Sequence, residues 1–147
     1  MKIIEIQDRT PRLIQELIRV WESSVRATHL FFSQRELEEV KGNVRQSIVE
    51  IPSLLIVEND DKILIAFMGL EKEKLKMLYV ANESRGKGNG RRLLTHGIDN
   101  YQIRELTVNE QNSLARGFYE HMGFKVYDRS DLDEQGYPYP ILFMRLP

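Results

Sequence analysis

The chain has 147 residues, 41% of them apolar and 29% charged, which places it with ordinary single globular domains and apart from disordered, fibrous and stapled miniature classes. Its 21 Lys and Arg stand against 22 Asp and Glu for a net charge of −1, so the counterion release that drives duplex binding is missing and nucleic acid is disfavoured as a partner. No cysteine is present to form a disulfide, a thiolate metal site or a thiol nucleophile, and no stretch approaches the roughly 18 apolar residues of a membrane span, so the sequence reads as cytoplasmic with no membrane partner.

No repeat, low-complexity tract or Pro/Gly/Ser linker divides the sequence, so residues 1–147 are expected to form one domain. Lys2 to Gln7 places Ile4 and Ile6 at period two, and Thr10-Pro11 supplies an N-cap followed by a proline at the first helical position. Ile14, Ile18, Trp21 and Val25 then recur at helical spacing, and a second helix starts at Ser33, where Glu36 completes a capping box. Leu54 to Val57 and Ile63 to Phe67 are β-rich runs around Asn59-Asp60-Asp61, residues that tolerate left-handed turn geometry, and together they predict a hairpin. Leu75 to Val80 is a further strand that runs into Arg85-Gly86-Lys87-Gly88-Asn89-Gly90, and Leu93, Leu94, Gly97, Ile98 and Tyr101 then share one helical face. Arg104 to Val108 reads as a strand, Asn112 to Met122 as a helix closed by Gly123, and Phe124 to Tyr127 and Ile141 to Leu146 as final strands. The expected class is α+β, with a mixed twisted sheet of six to seven strands and about four helices.

A glycine loop between a strand and a helix N-terminus is a device for binding anions, because unpaired amides and the helix dipole point at the same place. Gly86, Gly88 and Gly90 let backbone approach a ligand closely, while Arg85, Lys87, Arg91 and Arg92 add positive charge. A flexible turn before an amphipathic helix explains the same residues without a ligand. Two nucleotide-loop patterns fit less well: a dinucleotide fingerprint requires glycine where Arg91 stands, and a Walker loop requires Gly-Lys-Ser/Thr.

Arg85-Gly86-Lys87-Gly88-Asn89-Gly90 resembles the Arg/Gln-x-x-Gly-x-Gly/Ala motif of the GNAT superfamily of acyl-CoA-dependent N-acetyltransferases. Leu106-Thr107-Val108-Asn109, followed by Asn112, Ala115, Phe118-Tyr119 and Gly123-Phe124, is similar to the same superfamily's strand-helix segment ending in Phe-Tyr-x-x-x-Gly-Phe. The resemblance is close from Leu75 to about Tyr127 and extends elsewhere only to the order of elements. It implies a sheet splayed between the strand ending at Val80 and the strand ending at Val108, with acetyl-CoA in the gap. It further implies direct acetyl transfer to a primary amine of a small molecule or a peptide, with no covalent enzyme intermediate. By the same resemblance the pyrophosphate lies on amides of Arg85 to Arg91, including Gly86, Lys87, Gly88, Asn89 and Gly90, and the pantetheine arm pairs with backbone of Leu78 and Val80. An N–H near Val80 is the implied oxyanion donor, and Tyr119 the implied acid for the departing thiolate. Read without that resemblance, Tyr119 belongs to a helical core stripe with Leu114, Ala115, Phe118 and Met122, and Asn112 is an N-cap, a role that a cofactor contact leaves open.

The general base is not legible. Many members of the superfamily carry a glutamate on the strand before the loop, whereas Lys74-Leu75-Lys76-Met77-Leu78-Tyr79-Val80 has none. Glu71, Glu73, His29 and water remain as candidates, and Trp21, His29 and Phe32 fall where the superfamily's early helices cover the acceptor pocket. No His, Asp and Glu cluster at ligand spacing points to a catalytic metal. Asp128, Asp131, Asp133 and Glu134 favour a cationic amine, and Gly136-Tyr137-Pro138-Tyr139-Pro140 reads as a stiff surface connection, a pocket wall or a homodimer edge. A CoA-binding regulatory module without turnover and a nucleotide-binding enzyme using the same loop are the rival readings.

Overall fold

The computed structural model describes residues 2–28 and 33–147; His29, Phe31 and Phe32 lie outside the described residues. Strand β1 (Lys2–Glu5) leads to helix α1 (Pro11–Thr28), which begins as its sequence dictates, the Thr10 hydroxyl accepting from the Leu13 N–H at 3.2 Å. Helix α2 (Gln34–Glu50) opens on a complete capping box in which Ser33 accepts from the Glu36 N–H and Glu36 accepts from the Ser33 N–H. Strands β2 (Ser53–Glu58), β3 (Leu64–Glu71) and β4 (Lys74–Val80) form a meander, and a short 3₁₀ turn (Asn82–Ser84) leads to helix α3 (Asn89–Tyr101). Strand β5 (Glu105–Asn109), helix α4 (Ser113–His121), strand β6 (Lys125–Ser130) and strand β7 (Ile141–Arg145) complete the order.

One detail of the β2–β3 turn differs from expectation. The side-chain oxygen of Asn59 accepts from the N–H groups of Asp61 and Ile63, and this Asx arrangement moves the left-handed position one residue on, to Lys62 at φ 62°.

Among the described residues the sheet has seven strands in the order β1-β2-β3-β4-β5-β7-β6. All neighbours are antiparallel except β4 and β5. Strand alternation divides the core into two layers. On one face Leu17, Val20, Trp21 and Val25 of α1 and Ile48 of α2 pack on Ile56, Phe67 and Met77. On the other, Leu93 and Leu94 of α3 and Tyr119 of α4 pack on Met68, Leu75, Leu106 and Val108.

Helix α4 is stopped by Gly123 at φ 100°, a left-handed conformation that other residues adopt at a cost, and the chain reverses so that the Phe124 N–H reaches the Tyr119 carbonyl at 3.0 Å. This turn sets Phe124, 1% exposed, edge-on to the Tyr119 ring at 6.2 Å between centroids. Phe124→Ala is expected to cost about 3–5 kcal/mol through the cavity it leaves, measured by urea denaturation.

Candidate active site

Strands β4 and β5 pair at two positions only, Lys74 with Glu105 and Leu75 with Leu106. Beyond that point β5 follows β7, to which it pairs from Glu105–Arg145 to Asn109–Ile141, while β4 stays with β3 as far as Val80–Ala66. The gap is a cavity of about 540 Å³ whose walls come from β4, the glycine loop, β5 and α4.

The ladder register shows which backbone groups face the gap. The Ala81 N–H donates to the Ile65 carbonyl at 2.9 Å, and Val80 lies opposite Ala66. Hydrogen-bonded and non-hydrogen-bonded pairs alternate in an antiparallel ladder, so Tyr79 turns its backbone to β3 while Leu78 and Val80 turn their N–H and C=O groups toward the split. Those edge groups are what an extended amide-bearing chain needs to add to β4 as a strand does.

At the head of the gap the loop before α3 bends through Gly86 at φ 73° and Gly88 at φ 82°, Gly88 being the N-cap of the helix. From Gly86 to Arg91 no backbone N–H makes a hydrogen bond within the described residues. Six consecutive free donors at a helix N-terminus form a nest suited to a diphosphate. The side-chain oxygen of Asn89 is also buried without a partner, while its amide donates to the Ser84 carbonyl at 3.1 Å. A diphosphate group on an extended pantetheine arm therefore matches both the donors and the shape of this space.

Most of the expected site residues converge here. Leu78, Val80, Arg85, Gly86, Gly88, Asn89, Gly90, Arg91, Asn112 and Tyr119 all line the cavity, and Lys87 stands exposed beside it. Asn112 caps α4, its side-chain oxygen accepting from the Ala115 N–H at 3.1 Å. Arg85 departs from the expected pattern: its guanidinium turns to α1 and donates to the Ser24 hydroxyl at 3.2 Å. The Ser23 hydroxyl accepts from the Asn82 N–H at 2.9 Å, so two adjacent serines of α1 fasten the loop in place.

Tyr119 is nearly buried, with Phe118 and Phe124 on its flanks, and its hydroxyl forms no hydrogen bond within the described residues. Burial raises its hydroxyl above the ordinary tyrosine range, and the neighbouring Tyr79 hydroxyl adds to the shift. Tyr79 lines the same cavity and takes a hydrogen bond from the Trp21 indole N–H, which partly offsets the effect of burial on Tyr79 itself. Trp21, expected as a direct contact of the acceptor, is 1% exposed and sits in the core, acting on the cavity through Tyr79. Period-two alternation on β4 was the signal that would have selected Tyr79, which is opposite in facing to Leu78 and Val80.

Glu71 and Glu73 are displaced from any role at the open end. Glu71 pairs with Lys74, and the Glu73 carbonyl accepts from the Arg104 and Glu105 N–H groups, so both mark the place where β4 and β5 are still joined. Neither lines the cavity. His29 and Phe32 lie outside the described residues. Among the described residues no group of three or more His, Asp or Glu is arranged to hold a metal, and no helix is long and apolar enough to cross a membrane.

Comparison with known proteins agrees with this geometry. The model of the acetyltransferase (GNAT) domain family matches residues 27–139, and the chain belongs to that family. Its relatives include the peptidyl-lysine N-acetyltransferase YjaB of Salmonella typhimurium, 38% identical over 133 residues that span 90% of this chain and 91% of the relative. The solution structure of apo-form YjaB from Escherichia coli superimposes with a TM-score of 0.87 at 36% identity, covering 99% of this chain and 97% of that one. A PaiA N-acetyltransferase from Thermoplasma acidophilum, solved in complex with coenzyme A, gives a TM-score of 0.69 at 25% identity with 99% of both chains covered. The protein is an acetyltransferase that moves an acetyl group from acetyl-CoA to an amine, and the readings as a turnover-free module or a nucleotide enzyme fall away.

Space beside the glycines separates conformation from sterics. A Cβ at Gly86 or Gly88 meets nothing within 4 Å, so alanine there suffers only from the left-handed backbone, at about 1–2 kcal/mol each. At Gly90 a Cβ makes ordinary contacts with Phe118 at 3.6 Å and Val80 at 3.7 Å, so Gly90→Ala should leave stability unchanged or raised. Thermal unfolding of the three variants checks this ordering.

Proposed function

We propose that the acceptor is the side-chain amine of a lysine in a peptide or protein, and that transfer is direct within a ternary complex. The name and 38% identity of the YjaB relative support the acceptor class. The observation that carries the proposed mechanism is the open edge of β4 meeting a nest of unpaired amides at one end and the Tyr119 hydroxyl along its wall.

In this reading the N–H groups from Gly86 to Arg91 hold the pyrophosphate, and Leu78 and Val80 pair through backbone with the pantetheine arm. The helix dipole of α3 adds to the attraction at the same point. The Val80 N–H, turned to the split, donates to the thioester oxygen as negative charge develops there, an effect worth roughly 3 kcal/mol in comparable acyl-transfer sites. Asn112 fixes the start of α4 and thereby the position of Tyr119 two turns later. Tyr119 donates its proton to the departing sulfur, and its raised affinity for that proton keeps it in the acid form throughout the neutral range.

Two outcomes test the assignment. Tyr119→Phe is expected to lower kcat about 100-fold while calorimetry finds acetyl-CoA affinity within a few-fold of the parent, since only the hydroxyl is lost. Unchanged turnover with normal affinity would remove Tyr119 from the mechanism. For pH, a group that ionises above its ordinary value remains an acid longer, so kcat should show no alkaline loss traceable to Tyr119 below about pH 10, the usual tyrosine midpoint.

A further inference from the structure

None of the described residues that line the cleft is Asp or Glu, and the histidine that lines it, His121, sits exposed in the last turn of α4. A carboxylate reaches the cleft wall from elsewhere in the chain. Between β6 and β7, residues 131–140 cross from the far edge of the sheet to α2. Tyr137 donates to Glu39 at 2.6 Å, Tyr139 donates to Glu36, and the Pro140 carbonyl accepts from the Glu110 N–H at 2.9 Å. This strap is thus tied to α2 at two points and to the end of β5 at a third.

Within the strap, each carboxylate but one has a structural task. Asp131 is paired with Arg129 at 2.5 Å, and Asp133 accepts from the N–H groups of Gln135 and Tyr137, folding the strap on itself. Glu134 is aimed differently. Its carboxylate accepts from the Thr107 hydroxyl at 3.5 Å, and Thr107 belongs to the cleft wall.

Facing decides what that contact means. Leu106 and Val108 pack in the layer with α3 and α4, so Thr107 between them projects from the opposite face of the sheet. The same face carries Tyr79 and Trp21. Helix α3 packs on one face of the split, and Glu134, exposed and outside the cavity lining, reaches the opposite face through Thr107.

We propose that Glu134 is the general base, delivered by the strap to the acceptor face of the split and oriented there by Thr107. The proposal rests on the direct-transfer reading above. A lysine side chain, with an ordinary pKa of about 10.4, arrives as the ammonium and cannot attack until it loses a proton. Glu134 takes the first proton, directly or through one water, and passes it to solvent. The nitrogen lone pair then forms the C–N bond as the C–S bond breaks. The second proton leaves nitrogen and replaces the one that Tyr119 gives to sulfur, so each acetyl transfer releases one proton overall.

The test uses steady-state kinetics of the full-length protein and its Glu134→Gln and Glu134→Asp variants, with calorimetry of acetyl-CoA binding alongside. With a lysine peptide near neutral pH, Glu134→Gln is expected to lose about 100-fold in kcat/KM at unchanged acetyl-CoA affinity, and Glu134→Asp to recover most of it. The loss should shrink as pH rises toward the pKa of the amine, and should disappear with an aniline acceptor that is already unprotonated. A deficit that stays constant across pH and amine basicity, or no deficit at all, would overturn the proposal. Failure of the parent enzyme to modify any lysine peptide would count against the acceptor class alone, because the variant-to-parent ratio read on whichever amine it does accept still decides the role of Glu134.

Discussion

Everything in the site depends on two parallel strands that part after two pairings. A β edge left without a neighbour exposes donors and acceptors that must find water or a ligand. Here β5 keeps five pairs with β7 along one edge and only two with β4 along the other, so the split opens on the β4 side alone. Helix α4 reinforces the opening, with Phe118 and Tyr119 packed where continued pairing would otherwise bring the strands together. The gap follows from where β4 and β5 part, and it leaves the backbone groups of Leu78 and Val80 along an open edge.

Two further constraints place chemistry on that edge. The glycine loop is fastened to α1 through Ser23 and Ser24. Arg85 contributes to this fastening, while the free amides of the loop, the N-terminal end of the α3 dipole and Arg91 meet at the head of the gap. On the other wall, the turn at Gly123 folds Phe124 back on Tyr119. A hydroxyl held in that apolar setting keeps its proton beyond the ordinary tyrosine range.

Local patterns carried most of the fold. Thr10-Pro11 and Ser33-Glu36 announced two helices because capping is a matter of four consecutive residues, and the β-rich runs announced strands β2 to β4 without their facing. The glycine loop was legible for the same reason. What was hidden is what joins residues far apart in sequence. Nothing near Arg85 reveals that its guanidinium meets Ser24, 61 residues away, nor that Trp21 reaches the cleft only through Tyr79. The insertion of β7 between β5 and β6 was likewise invisible, and with it the route of residues 131–140 to α2. Glu71 and Glu73 looked close to the site because sequence distance to β4 is short, yet the strand carries them to its joined end.

Amide resonances report most directly on whether the parted strands and the nest hold the cofactor. In a titration of uniformly ¹⁵N-labelled protein with coenzyme A, the account predicts that the largest shifts fall on Gly86 to Arg91 and on Leu78 and Val80, whose N–H groups face the gap, with smaller ones at Tyr79, which is hydrogen-bonded to β3. Saturation with those amides unmoved and the principal shifts elsewhere in the chain would contradict it.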